Sequence, residues 1–361
     1  MKNLLILFFT FAATQVYSQK KNTGNNGVFL ENVSWTTAKQ LLTTDAVVVI
    51  PLGAGAKEHG PHLPLSSDYI QAEGTAKLLA LERKVLITPI VNYGFYPVFL
   101  KYAGSTSIDF TTATEMILSI VRSLSGYGPK RFYIINVGVS TTPTLAAAAK
   151  LLADEGILLY YSQYDRPNFI KIEDPIKSKA FGGHANEIET SNVLYLRPKL
   201  VDMTKAVNDS SSKGKQGILS PVQMENTAYS PTGIEGYAAL ATKEKGKLYM
   251  QAYTKEVISE IDSIINCALP KVKDRTEEYK TYEGEYTCAG RKNLIIQAKD
   301  NHLYFRRVDA QFFAPFKLYR NGEDFFSAQT LTILFIKNEE GQLLKAWCQS
   351  RGESYWMTKT K

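Results

Sequence analysis

Cysteine is scarce in this 361-residue chain: three residues, at 267, 288 and 348, an odd number that cannot all pair within one molecule. Cys288 and Cys348 could pair in an oxidising compartment, and buried free thiols account for them equally well. No cysteine follows the first apolar run, so a lipid anchor there is excluded. No later run is long enough to span a bilayer, which argues against membrane insertion. Acidic side chains are outnumbered, 35 against 42 lysines and arginines, for a formal charge of +7. The basic excess is scattered, with no stripe or arginine-rich helix, which counts against a nucleic-acid partner and leaves a solvated surface. Histidine is also scarce, at four residues, yet two of them share one short stretch.

What is present begins with the layout of a secretory signal peptide over residues 1–18: Lys2, an apolar core at 4–13 and the small residue Ser18. The chain is therefore expected to be exported, to the periplasm or outside the cell. Residues 19–27 are polar and glycine-rich and read as a flexible lead.

Strand and helix patterns then alternate. The run 46–52, rich in β-branched residues, reads as a buried strand, as do 85–91, 131–136 and 156–161. Helical spacing is found at 35–42, 69–84, 111–125, 143–155 and 187–196, and at 237–267 with an interruption expected at Gly246. In the second of these, Ile70, Gly74, Leu78 and Leu81 can share a buried face. The alternation predicts an α/β fold, a layered α/β/α domain with a mainly parallel sheet. An aromatic loop (Tyr93, Phe95, Tyr96, Phe99, Tyr102) either walls a pocket or packs in the core. The polar stretch 202–230 is either a flap over the site or a surface excursion.

The texture changes after a charged segment at 269–280, read as a linker. Short aromatic and β-branched runs follow at 282–286, 294–296, 303–305, 312–313, 324–326, 331–336 and 343–347, with turn signals at 299–301, 320–322 and 339–341. Residues 281–361 are thus expected to form a small antiparallel β domain, after a first domain over 28–268.

Residues 53–68 follow the first strand of that alternation on a loop punctuated by glycine and proline, and they hold His59, His62, Glu58 and Asp68. Side chains just past such a strand sit at the carboxyl edge of the sheet, where open α/β folds place ligands. Imidazole and carboxylate together are what zinc or manganese accepts, so the stretch points to a metal site. Further along, Glu187 and Glu189 open a helix, where the dipole alone favours a carboxylate.

The order Lys57-Glu58-His59-Gly60-Pro61-His62-Leu63-Pro64-Leu65, then Asp68, resembles the signature of the creatininase (creatinine amidohydrolase) family, usually Glu-Gln-His-Gly-Pro-His-Leu-Pro-Leu and then Asp. Matching blocks recur in family order: Tyr93-Gly94 with Gly104-Ser105-Thr106-Ser107, Gly183-His184-Ala185-Asn186-Glu187-Ile188-Glu189-Thr190-Ser191, and Thr242-Lys243-Glu244-Lys245-Gly246. The resemblance implies two divalent metals sharing an aspartate and activating water against a C–N bond. It assigns His59, Asp68 and Glu189 as metal ligands and His184, with Glu187 beside it, to acid or base work. Two departures stand out. The family's first metal-binding Glu aligns with Lys57, and a metal-binding His of Asn-Gly-His-Gly-Gly-Asn is replaced by Gly138. Glu58 is the nearest substitute for the lost Glu, although neighbours on an extended segment point to opposite sides. Lys57 could instead fill the vacant cation site.

Three readings follow. The first is an exported hydrolase of an amide or related C–N bond in a small molecule, holding one zinc or manganese ion per chain rather than two. The second is a catalytically inactive member of the fold that binds a small ligand, and the third is a structural role. The family resemblance also implies a homo-oligomer. The ending resembles β domains appended to some secreted bacterial hydrolases.

Overall fold

The computed structural model describes residues 26–360 apart from 164–165, 216, 289, 292, 310–313, 329–330 and 351. The expected signal peptide at 1–18 and the aromatic pair at 312–313 lie outside the described residues.

Five parallel strands form the first sheet: β1 (Val28–Phe29), β2 (Val47–Leu52), β3 (Leu86–Ile87), β4 (Arg131–Asn136) and β5 (Leu158–Tyr161), in the spatial order β1-β3-β2-β4-β5. Its helices are α1 (Trp35–Leu41), α2 (Ser67–Glu82), α3 (Phe110–Ser125), α4 (Thr142–Asp154), α5 (Pro167–Glu173), α6 (Glu187–Leu196) and α7 (Lys243–Asn266). β2 is buried along its whole length. Val47 and Val49 pack with α2 and α7 on one face, whereas Val48, Ile50 and Leu52 pack with α3 and α4 on the other. Burial on both faces is why this strand reads as a continuous apolar run rather than an alternating one.

From β2 the chain moves to one side to form β3 and then crosses to the other side to form β4. The crevice of an open α/β sheet opens at such a reversal, beyond the carboxyl ends of the strands. Here that places the loop after β2 and the loop after β4 side by side.

Local departures from the sequence pattern have physical causes. β3, expected over 85–91, is short because Thr88 and Pro89 break it, and the chain returns only as a single bridge between Leu52 and Val91. Leu81 is 69% exposed, although Ile70 and Gly74 on its face are buried. That face packs on α6, whose last residue, Leu196, lies against Gly74, so the cover ends before Leu81 is reached. α7 starts at Lys243, with the Thr242 hydroxyl accepting the Lys245 N–H, because Gly236–Tyr237 form a strand and Ala238–Leu240 a 3-10 turn. It runs unbroken through Gly246.

Residues 202–236 carry two small ladders. β6 (Asn208–Asp209) pairs antiparallel with β9 (Gly236–Tyr237), and β7 (Ile218–Ser220) pairs parallel with β8 (Thr227–Tyr229).

The chain ends in a closed antiparallel barrel of β10 (Gly284–Thr287), β11 (Leu294–Lys299), β12 (His302–Arg307), β13 (Phe316–Gly322), β14 (Phe325–Ala328), β15 (Leu331–Lys337), β16 (Leu343–Ser350) and β17 (Glu353–Lys359). Asp300 and Asn301 turn β11 into β12 with φ of 49° and 58°, the pair of positive angles that a two-residue type I′ hairpin requires. Residues 320–322, expected as a turn, belong to β13 with a bulge, and the chain reverses just after them, where Asp324 has φ of 55°. Within the charged segment 269–280 a short helix, α8 (Thr276–Lys280), puts Tyr279 into the barrel core. One apolar residue among charges leaves no period to read. Arg122 of α3 joins the two parts, donating to Asn321 Oδ1 at 2.6 Å and to the Arg320 carbonyl at 2.5 Å while paired with Glu155.

Candidate functional site

Three backbone devices bring the functional side chains to the sheet's carboxyl edge. Gly53, just after β2, runs against the first turn of α2, where a β-carbon would overlap the Asp68 carbonyl and lie 2.9 Å from Tyr69 N. Asp68 is thereby held directly beyond β2. The next segment is pinned by the Lys57 N–H to the Leu65 carbonyl at 2.9 Å and by the Glu58 N–H to Ser105 Oγ at 2.9 Å. Before α6, Ala185 takes a left-handed φ of 48°, and Asn186 caps the helix by accepting the Ile188 and Glu189 N–H groups. This turn presents His184 and Glu189 to the loop after β2.

Asp68 is gripped from two sides. Lys57 Nζ lies 2.7 Å from Oδ2, and His59 Nε2 lies 2.7 Å from Oδ1. The His59 Nδ1 is 2.9 Å from the Lys57 carbonyl oxygen. Burial pushes the Asp68 carboxyl up, but the Lys57 ammonium and His59 outweigh it and hold the group below the usual carboxylate range. The His184 Nε2 is 3.0 Å from Glu58 Oε2 and 2.9 Å from the Glu58 carbonyl, and its Nδ1 is 3.7 Å from Glu189 Oε2. Burial lowers the His184 value, yet the hydrogen bond and charge of Glu58 raise it further, so the net direction is up.

The predicted residues do not assemble as the expected trio. His59, His184 and Glu189 each offer one donor atom within 4.8 Å of the others. His184, expected as an acid or base, thus takes the place that Asp68 was expected to fill. Asp68 stands one step back because Lys57 and His59 already occupy its oxygens. Glu58, the substitute ligand, faces His184 and accepts the Gly60 N–H. Glu187 belongs elsewhere: its carboxylate accepts from Ser178 N at 2.9 Å and Ser178 Oγ at 2.8 Å and pairs with Lys245 of α7. It ties α6 to α7 and stands outside the cluster of His59, His184 and Glu189.

Sequence reasoning counted His62 in the metal-binding stretch but assigned it no role of its own. It is buried beside His59, with Nε2 2.8 Å from Thr190 Oγ1, and burial followed by the His59 charge lowers its pKa to about 4. Its signal was the His-x-x-His spacing within the Gly-Pro loop.

The aromatic loop and the 202–236 excursion close the site together. Phe99 packs on the His184 ring at 4.5 Å between centroids, and the Lys57 ammonium lies 4.6 Å from the Phe99 centroid and 5.8 Å from that of Tyr96. Tyr96 and Phe99 share a cluster with Leu219 and Ala228, and the Tyr102 hydroxyl donates to the Ser230 carbonyl at 2.6 Å. Gly233 lies against the Glu58 carboxylate, and Glu235 bridges to His184. The excursion is therefore a packed cover.

Two imidazoles and a carboxylate are donor types that zinc or manganese accepts, with His184 Nδ1 facing Glu189 and the His59 nitrogens engaged by Asp68 and the Lys57 carbonyl. A second ion at Asp68 does not fit, because an ammonium already stands there.

The creatininase family model, described as creatinine amidohydrolase, matches residues 31–261. Creatinine amidohydrolase of Pseudomonas putida is 24% identical over 255 residues, covering 66% of this chain and 97% of that protein. Mycofactocin precursor peptide peptidase of Mycobacterium tuberculosis (strain CDC 1551 / Oshkosh) is 26% identical over 237 residues, covering 62% and 88%. Among solved structures, a mutant creatininase of Zn-Zn type aligns with a TM-score of 0.56 at 22% identity over 67% of this chain and 99% of its own. A manganese creatininase gives 0.56 at 21% over 67% and 100%. These likenesses establish the fold of the first part.

Proposed function

The chain belongs to the creatininase family, and from that premise we propose that it is an exported hydrolase of an amide or related C–N bond in a small molecule, working with one divalent ion per chain. The observation that carries this reading is the convergence of His59, His184 and Glu189 within 4.8 Å, from the loop after β2, the loop before α6 and the first turn of α6. Zinc or manganese suits these donors. When bound, such an ion polarises a carbonyl oxygen and acidifies water.

The chain's own groups do the rest. Glu58 accepts from His184 Nε2 and leaves Nδ1 facing Glu189, as a carboxylate behind a metal-binding histidine does, whereas His59 is held at Nε2 by Asp68 and at Nδ1 by the Lys57 carbonyl and must release one of them to bind an ion. Burial and then the Asp68 charge push the Tyr96 phenol far above its ordinary value, so it stays protonated, and its hydroxyl is buried without a hydrogen-bond partner. It is the natural donor to a substrate oxygen. The packed cover buries Lys57, His59, Asp68 and His184, while the Glu189 side chain stays 24% exposed and marks the side from which a substrate would approach.

The relatives act on creatinine and on a precursor peptide, which makes cyclic amides and short peptides the substrates to try first. The test is hydrolysis of both classes by zinc- and manganese-loaded protein, with elemental analysis beside it and His59→Ala as control. Activity that tracks ion content supports the reading. Protein that stays metal-free under replete conditions moves the assignment to a non-catalytic binder of a small ligand, which the Lys57–Asp68 pair favours.

The same reading includes removal of residues 1–18 on export, which an intact Met1 in the mass of exported protein would refute. It includes two folding units, 28–268 and 281–361, joined through 269–280, and a homo-oligomer in solution, which light scattering measures. Among the described residues no helix is long and apolar enough to cross a membrane.

A further inference from the structure

We propose that Lys57 is a tethered cation that takes the place of a second metal ion, so that the centre runs on one exchangeable and one covalently held positive charge. This rests on the one-ion reading of the adjoining donor set. Three observations carry it.

The first is the carboxylate. Asp68 is fully buried, and a buried carboxylate is retained in charged form only with a partner. Oδ1 faces His59, and Oδ2 faces the Lys57 ammonium at 2.7 Å.

The second is the chamber around Oδ2. A β-carbon on Gly138 would meet the Tyr96 ring at 3.6 Å and Asp68 Oδ2 at 3.9 Å, with no nearer atom. A side chain at 138 would therefore address the oxygen that Lys57 holds. Glycine leaves that approach open, and the lysine stem reaches the same oxygen from the other loop.

The third is the chemistry of the remaining walls. The ammonium stands 4.6 Å from the Phe99 centroid and 5.8 Å from that of Tyr96. Aromatic faces stabilise an organic cation, but they offer a divalent ion no lone pairs. One carboxylate and two rings make a good lysine box and a poor metal site. The ammonium cannot be lost to a chelator or exchanged, so positive charge beside His59 and Tyr96 persists whether or not the neighbouring ion is bound.

The test counts ions. Wild type, Lys57→Met and the double variant Lys57→Glu with Gly138→His are dialysed against zinc or manganese and measured by elemental analysis. The expected result is about one ion in wild type and about two in the double variant, which restores two donors at Asp68. In Lys57→Met, added zinc should raise the melting temperature more than in wild type, since Asp68 lacks its cation. Two tight ions in wild type, or one ion in all three proteins, overturns the proposal. No ion in wild type with one gained by the double variant keeps the proposal and refutes the one-ion hydrolase instead. If the double variant does not fold, chelator-competition titration of wild type decides: one class of zinc site supports the tethered cation, and a second tight class overturns it.

Discussion

Gly246 of α7 lies against the backbone of Ser191 in α6, so closely that a β-carbon at 246 would overlap the Ser191 carbonyl and sit 2.9 Å from Asn192 N. A second tie lies beside it, with the Thr242 N–H donating to Ser191 Oγ at 3.0 Å. α6 carries Glu189 in its first turn, so the position of the candidate ligand depends on how near these two helices come.

Gly246→Ala should destabilise the protein by about 1–3 kcal/mol, the usual cost of forcing bulk into a close-packed contact. Urea unfolding measures the loss. Metal affinity should fall in parallel, because the helices can separate only by moving Glu189. An unchanged unfolding midpoint would show that the helices move apart at no cost.

Glu58→Gln keeps a carbonyl oxygen facing His184 but removes the charge that orients and polarises the ring. Zinc affinity should fall by roughly 10–100-fold, the range found when the partner of a metal-binding histidine is altered. His59→Ala, which removes a donor, should lose more. Competition with a chromophoric chelator ranks the two, and equal losses would place Glu58 among the ligands themselves.

Arg122→Ala should loosen the barrel from the first part of the chain. The guanidinium is nearly buried and binds Glu155, Asn321 Oδ1 and the Arg320 carbonyl at once. Losing charge-assisted bonds of this kind costs about 3 kcal/mol. Limited proteolysis within 269–275 should accelerate, and calorimetry should separate two transitions.

Acid should act on the same junction through Glu278. Burial raises its carboxyl, but hydrogen bonds from Arg320 and Arg275 outweigh this and hold it below the ordinary value. Arg275 in turn binds Asp154 at 2.5 Å, linking the barrel side to the end of α4. Since the folded pKa is depressed, the stabilisation is complete above the unfolded value of about 4.3 and disappears as pH falls through the folded one. Wild type should therefore lose melting temperature between pH 5 and pH 3 faster than Glu278→Gln does. Parallel curves would rule out this linkage.

Much of the architecture was legible in the sequence. The run at 46–52 holds apolar side chains on both faces, as a strand covered on both sides does, and with the alternation of strand and helix patterns it implied the parallel layered sheet. The Asp300–Asn301 turn, the α6 boundaries and the ligand types after β2 were equally local matters. Which atoms meet was not local. Lys57 and Asp68 belong to different elements, a loop and a helix, and their 2.7 Å contact depends on Gly53 bringing that loop against the first turn of α2. Glu187 and Glu189 look alike at the head of one helix, but successive residues there are turned by about 100°, so the two carboxylates point away from each other. The chain alone determined that carboxylates and imidazoles would crowd this edge of the sheet. Only the packing of α6 on α7 decided that Glu187 ties to Lys245 while Glu189 faces His184, because the side of a helix that meets a site is set by its neighbours and not by its own residues.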